Sequence, residues 1–110
     1  MIEEKLVSIR LRLEERKARH VECVNLEGKG LFTDGLVVLT ASSSRHARSL
    51  ADDVAELCRE KSWEYLHTEG YDTSRWILVD LNDIVVNIFL ESARELYRLE
   101  SLWAYVGESS

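Results

Sequence analysis

The segment RWILVDLNDIVVNIF, from Arg75 to Phe89, constrains the fold more than any other part of this chain. Ten of its fifteen residues are apolar, as is typical of buried strands, but Asp80, Asp83 and two asparagines interrupt the run. A carboxylate is costly to bury unless it is paired or hydrogen-bonded. These polar residues therefore mark either a turn between two strands or part of a site.

The segment is predicted to form a β-hairpin whose two-residue loop is Leu81 and Asn82. Asparagine tolerates the left-handed backbone conformation that such loops require. In this register Asp80 lies directly opposite Asp83. Like charges in opposite positions destabilise a strand pair by roughly 0.2–1 kcal/mol, so another interaction is expected to favour them.

This register also assigns every side chain of the hairpin to one face of the sheet, because side chains alternate along a strand. One face is predicted to be core, and it carries Ile77, Val79, Ile84, Val86 and Ile88. The other face is mixed, as suits a wet or partner-covered surface, and it carries Trp76, Leu78, Asp80, Asp83, Val85 and Asn87.

The rest of the chain alternates helical and strand-like patterns in the order α, β, β, α, β, β, β, α. A single mixed β-sheet with helices packed on it is the predicted α/β architecture, in one domain over residues 1–110. The predicted elements are an N-terminal helix at about 2–18, strands near 20–26 and 31–41, a helix over 42–61, a short strand near 64–68, the hairpin and a helix over 92–103. An α/β core is expected over about 19–104 and a frayed tail over 105–110.

Composition and charge narrow the functional classes. A length of 110 residues with 45% hydrophobic content suits one compact domain. The formal net charge is −6, and the lysines and arginines are spread among acidic residues, so a direct nucleic-acid site is not expected. A partner that carries positive charge is the better electrostatic match.

The chain is predicted to be a soluble protein of a reducing bacterial cytoplasm. Cys23 and Cys58 are far apart in the sequence and form no Cys-x-x-Cys motif, so a disulfide framework is not expected. The N-terminal segment has two early acidic residues and no apolar core, unlike a secretory signal. No apolar run approaches the roughly 20 residues of a membrane helix.

Three interpretations of the polar hairpin residues remain open. Asp80 and Asp83 can be turn residues whose carboxylates accept backbone N–H bonds. They can instead hold Mg²⁺ together with a phosphate. In the third interpretation they pair with Lys or Arg of another protein, and Trp76 is an aromatic anchor rather than a packing residue.

Other candidate chemistry is weaker. The histidines His20, His46 and His67 have no metal-ligand spacing. Ser44, Arg45 and His46 are expected to organise the start of the second helix, with Ser42 or Ser43 as its N-cap, although a helix N-terminus is also an anion site.

Three separated motifs carry a resemblance to a known family. They are FTDGLVVLTASSSRHARSLADDV at 32–54, WILVDLNDIVVNIF at 76–89 and ARELYRLESLW at 93–103. In this order they resemble the bacterial ribosomal silencing factor family, also called the Iojap-related family. The chain departs from the family pattern where Gly35 and Leu36 replace larger residues, Asn82 replaces a turn glycine and Asn87 replaces a histidine.

The resemblance implies a nucleotidyltransferase-like α/β fold without demonstrated catalysis and without a cofactor or metal. It implies binding to the fourteenth protein of the large ribosomal subunit, which blocks joining of the small subunit and lowers translation when nutrients are scarce. By matching motifs, it places the contact on Trp76, Asp80, Leu81 and Asp83 of the hairpin, with Glu69 and Tyr97 as further members.

Two alternatives belong to other functional classes. The first is nucleotidyl transfer with a metal held by Asp80 and Asp83, although fold alone does not confer chemistry. The second is a homodimerisation module that uses Trp103 and Tyr105 near the tail.

Overall fold

The structure is a computed structural model, and it describes residues 2–91. The elements follow the predicted order as far as the fifth strand. The predicted last helix at 92–103 and the tail at 105–110 lie outside the described residues. The observed elements are α1 (Ile2–Glu15), β1 (Arg19–Asn25), β2 (Gly35–Ala41), α2 (Ser44–Lys61), β3 (His67–Glu69), β4 (Trp76–Asp80) and β5 (Ile84–Leu90).

The five strands form one mixed sheet, as predicted. Their spatial order is β1-β2-β5-β4-β3. The central pair, β2 and β5, is parallel, whereas the other three pairs are antiparallel. A parallel pair needs a crossover connection, and here α2, β3 and β4 lie between its two strands in the chain.

The N-terminal helix α1 is amphipathic and docks through one apolar stripe. Its residues Ile2, Leu6, Ile9 and Leu13 are buried, at the helical spacing expected from the sequence. The helix ends at Glu15 rather than near residue 18, because Lys17 adopts a left-handed conformation with φ of 66°. The backbone N–H of Ala18 then closes the turn on the carbonyl of Leu13 at 3.0 Å.

The second helix, α2, begins as its sequence predicts. Ser43 is the N-cap, and its hydroxyl accepts a hydrogen bond from the backbone N–H of His46 at 3.1 Å. The apolar face of the helix packs into the core. Its buried residues are Ala47, Leu50, Ala51, Val54, Leu57 and Cys58.

The predicted register of the hairpin is wrong by two residues. Its tip is formed by Asn82 and Asp83 rather than by Leu81 and Asn82, because the N–H of Leu81 bonds to the carbonyl of Ile84 at 2.8 Å. Asp80 pairs with Val85, so the two aspartates do not face each other. A shift of two residues preserves the faces, and the predicted core face is confirmed: Ile77, Val79, Ile84, Val86 and Ile88 are fully buried.

The predicted strand at 31–41 is too long at its start. Strand β2 begins at Gly35, and the preceding residues form a loop. A Cβ on Gly35 would lie 2.9 Å from Cγ1 of Ile84 and 3.2 Å from Cδ2 of Leu6. Glycine therefore allows α1 to pack closely against the sheet at this point.

The apolar residues form a large and a small cluster on opposite faces of the sheet. The large cluster lies between the sheet and both described helices. The small one consists of Leu26, Leu36, Val38, Val85 and Phe89, with Val24, Leu31 and Leu78 packed against it. Among residues 2–91, no helix is long and apolar enough to cross a membrane.

Candidate protein-binding site

Trp76 is a half-exposed aromatic residue that the fold holds in one orientation. It is 41% exposed at the start of β4. Its indole N–H donates to Oδ1 of Asn87 at 3.0 Å, and its ring stacks on Phe89 with centroids 5.0 Å apart. Asn87 and Phe89 are themselves buried, so the indole rests on a fixed support.

The surroundings of Trp76 are acidic. Leu78 and Asp80 lie on the same face of β4, and the opposing residues of β3 are Glu69 and His67, respectively. Glu69, Gly70, Trp76 and Leu78 line a shallow depression of about 260 Å³. The structure thus brings together three predicted site residues, Trp76, Asp80 and Glu69, on one face of the β3–β4 edge.

Asp80 is both a turn residue and a member of this face. Its Oδ1 accepts the backbone N–H of Asn82 at 2.8 Å, which supports the left-handed conformation of Asn82 with φ of 76°. Its Oδ2 lies 3.9 Å from Nδ1 of His67, and Nε2 of His67 lies 2.6 Å from Oε2 of Glu69. The imidazole of His67 therefore contacts the carboxylate of Glu69 directly and lies near that of Asp80.

Asp83 does not belong to this face, contrary to the prediction. Its carboxylate accepts both hydrogen bonds of a bidentate contact from Nζ of Lys5, at 2.9 and 2.8 Å, and therefore points toward α1. The same ammonium lies 5.0 Å from the ring centroid of Trp63. The carbonyl of Asp83 accepts the backbone N–H groups of Asp34 and Gly35 at 3.0 and 2.9 Å.

Leu81 is fully buried and packs in the large core cluster, so the prediction that it reaches outward from the hairpin tip is wrong. Burial of a leucine side chain stabilises the fold by roughly 1.5–3 kcal/mol. This explains why the loop consists of Asn82 and Asp83 and leaves Leu81 in the core. Tyr97, the remaining predicted site residue, lies outside the described residues.

The sequence did not single out Phe32 as a surface residue. This phenylalanine is 86% exposed, although its neighbours in the chain are anchored. Leu31 packs on the small cluster, and the buried hydroxyl of Thr33 bonds to the carbonyls of Gly35 and Asp83 at 3.1 and 2.9 Å. The loop thus exposes the ring of Phe32 at the end of the sheet where the hairpin tip lies. In the sequence, this residue is marked only as the first of the FTD motif.

The residues at the start of α2 have structural partners. Nδ1 of His46 accepts the backbone N–H of Ser42 at 3.0 Å, so Nε2 carries the proton and donates to the carbonyl of Arg16 at 2.8 Å. His46 therefore ties the end of α1 to the start of α2, as the expected structural role requires. Within residues 2–91, no three His, Cys, Asp or Glu side chains are grouped to hold a metal ion.

The fold and this face define a small mixed α/β protein whose candidate site is a surface suited to another protein. The model of a family described as a ribosomal silencing factor during starvation matches residues 2–110. The chain therefore belongs to the ribosomal silencing factor family, as its motifs indicated.

Individual relatives agree with this assignment. A ribosomal silencing factor of Haemophilus influenzae is 36% identical over 92 residues, which cover 84% of this chain and 90% of the relative. One from Halalkalibacterium halodurans is 32% identical over 91 residues, covering 83% and 78%. A crystal structure of a Chromobacterium violaceum protein is similar with a TM-score of 0.83 and 25% identity, covering 92% of this chain and 85% of that one.

Proposed function

We propose that this protein binds the large ribosomal subunit at its fourteenth protein and sterically blocks joining of the small subunit. Translation would then fall when nutrients are limiting. Membership of a family described as silencing the ribosome during starvation supports the ribosome as the target. The particular ribosomal protein and the steric block rest on the resemblance in the sequence.

The presentation of Trp76 is the observation that carries the proposal. Binding hot spots are enriched in tryptophan, and an anchor that is already ordered loses less conformational entropy on binding. Asn87 and Phe89 provide that order here. The partly exposed ring can therefore bury more area against a partner without rearrangement of the strand.

The face that carries Trp76 is acidic, which suits a basic partner. The whole chain carries a formal charge of −6, and Asp80 and Glu69 share a face with Trp76. Lysine and arginine of a basic ribosomal protein would pair with these carboxylates and orient the complex. Leu81 and Asp83 would act indirectly, by fixing the hairpin tip from within, and Tyr97 remains a proposed contact.

The experiment is sedimentation of the tagged protein with separated ribosomal subunits. We expect cosedimentation with the large subunit alone, and inhibition of subunit joining when the protein is added first. Protein that sediments with neither subunit would overturn the proposal.

Variants then locate the contact. Trp76→Ala should weaken binding by about 2 kcal/mol or more, roughly thirtyfold, while the free protein stays folded. The control is Leu11→Ala, which removes an apolar side chain that is 57% exposed on α1. Equal binding by both variants would place the interface away from Trp76.

A variant that removes one charge measures the electrostatic contribution to binding. Asp80→Asn should weaken binding less than Trp76→Ala, and its effect should shrink at high salt because screened attraction supplies part of it. Titrations of the parent and Asp80→Asn at low and high salt measure this difference. A loss that is the same at both salt concentrations would contradict a charge role for Asp80.

A further inference from the structure

The connection between β3 and β4 is tightly built and leads directly into Trp76. Gly70 has φ of +78°, and a Cβ on it would lie only 2.2 Å from the carbonyl oxygen of Trp76. The backbone N–H of Ser74 donates to the carbonyl of Gly70 at 2.9 Å, and Ser74 is fully buried. The position of this connection, residues 70–75, therefore determines where the Trp76 backbone lies.

Helix α2 contacts the same connection through the side chain of Arg48. Nε of Arg48 donates to the carbonyl of Tyr71 at 3.0 Å, and Nη2 donates to the carbonyl of Asp72 at 2.7 Å. A planar guanidinium can hold two successive carbonyls in this way, whereas an ammonium acts as a point donor. Arg48 thus clamps the backbone of the connection at two adjacent peptide groups.

A second contact from the same helix reinforces the clamp. The hydroxyl of Tyr71 donates to Oδ2 of Asp52 at 3.2 Å. Asp52 lies four residues after Arg48, so the two side chains are neighbours on the surface of α2. Partial desolvation, the hydrogen bond to Asp52 and the charge of Asp52 all raise the pKa of Tyr71 above its ordinary value.

We propose that Arg48 is a positioning residue: by clamping residues 70–75 onto α2, it fixes the Trp76 backbone where the ring can contact Asn87 and Phe89. This inference rests on the proposed function, because its consequence is a Trp76 ring already ordered for the ribosomal partner. Arg48 itself acts through the backbone of the connection rather than through contact with the partner. Loss of the clamp raises the ordering cost that binding must meet.

The test compares Arg48→Ala with Arg59→Ala. Both variants remove one positive charge from α2, but Arg59 contacts Glu56 of the same helix and does not touch the connection. Two readouts need no ribosome: the indole N–H signal of Trp76 in a nitrogen–proton correlation spectrum, and hydrogen exchange of the Ser74 amide. The third readout is affinity for the large subunit.

We expect Arg48→Ala to shift or broaden the Trp76 indole signal and to speed exchange of the Ser74 amide, with little change in the melting temperature. Affinity should fall about three- to tenfold relative to Arg59→Ala. Arg48→Lys should restore the signal only in part, because it lacks the guanidinium fork.

The outcomes separate the clamp from the proposed function. An unchanged indole signal and amide in Arg48→Ala would overturn the positioning role, whatever the ribosome does. A displaced indole with undiminished affinity would also overturn it, while leaving the proposed function intact. If the parent protein fails to bind the large subunit, the proposed function is wrong, and the two spectroscopic readouts alone decide whether Arg48 positions Trp76.

Discussion

At Gly70 the chain has room for a hydrogen atom and nothing larger, because the carbonyl oxygen of Trp76 occupies the place of a side chain. Gly70→Ala should therefore destabilise the fold by about 2–4 kcal/mol, from a left-handed alanine and from the clash. Gly28→Ala is the matched control, since Gly28 has φ of +79° but nothing within 4 Å of the position that a Cβ would take. It should cost only about 1–2 kcal/mol.

Urea unfolding of both glycine variants measures the difference. Equal free energies of unfolding would mean that the connection relaxes away from Trp76 without cost, and that the close approach at Gly70 does not constrain β4.

Leu81 is the residue where the sequence was most misleading. A leucine between two polar residues fits a turn by position, but its side chain is fully buried. Leu81→Ala should lower the free energy of unfolding by about 2–5 kcal/mol through the cavity it leaves. Leu66→Ala, at a leucine that is 47% exposed, should change it by less than about 0.5 kcal/mol. Denaturant titrations measure both changes. Similar losses of unfolding free energy for the two variants would mean that Leu81 is not buried.

At the scale of elements, α1 is attached to the hairpin tip by the contact between Lys5 and Asp83. The side chains are 13% and 38% exposed, so water screens this pair less than a fully exposed one. A double-mutant cycle with Lys5→Ala and Asp83→Asn should give a coupling energy of about 0.5–2 kcal/mol. The pair Arg10 and Glu14 on the outer face of α1, at 3.5 Å, should give about 0.3–0.5 kcal/mol.

Thermal or denaturant unfolding supplies the four stabilities of each cycle. A coupling for Lys5 and Asp83 no larger than that of Arg10 and Glu14 would mean that apolar packing alone attaches α1.

The elements themselves were largely predictable, whereas their ends and register were not. The stripe containing Leu6 and Ile9 and the cap at Ser43 are local signals, and both predictions are confirmed. Asn82 belongs to the loop in both the predicted and the observed register, so its turn preference does not distinguish them. Burial of Leu81 does, and sequence spacing does not reveal it. The error of two residues kept both sheet faces, so Trp76 was assigned to the correct face. Asp83 was not, because it lies in the loop and its side chain contacts Lys5 of α1.

At the scale of the whole molecule, the two cysteines can report separately on local and global opening. Cys23 on β1 is half-buried beneath α1, with Sγ 4.0 Å from the carbonyl of Leu6, whereas Cys58 on α2 is buried in the core. Burial raises the pKa of both thiols, so fewer of them are reactive thiolates at neutral pH. Labelling of each should therefore speed up as the pH rises.

We expect a chain with Cys58→Ala to label faster at Cys23 than a chain with Cys23→Ala labels at Cys58. Cys23 is already partly exposed, whereas Cys58 is almost fully covered, so exposure of Cys58 requires the larger opening. Labelling kinetics, normalised to each variant unfolded in denaturant, test this order. Equal protection of both thiols would mean that α1 and the sheet open as one unit.

The site depends on contacts between distant parts of the chain, and this explains why the sequence revealed it only in part. A tryptophan on a mixed strand face was predictable from alternation. Its stacking on Phe89 required the correct register, because Trp76 pairs with Phe89 and not with Asn87 as predicted. The approach of Arg48 to the 70–75 connection required the packing of α2. The exposure of Phe32 depended on how its loop is anchored.

The parallel pairing of β2 with β5 also governs the order in which the protein can fold. Gly35 is paired with Ile84, about fifty positions later in the chain. Until β5 has been synthesised, the buried strand β2 lacks one of its two neighbours and exposes an unpaired apolar edge. Closing so long a loop is entropically costly, and contacts between distant residues slow folding. During synthesis, an emerging chain that ends before residue 84 therefore cannot complete its central sheet and is open to misassociation with other nascent chains.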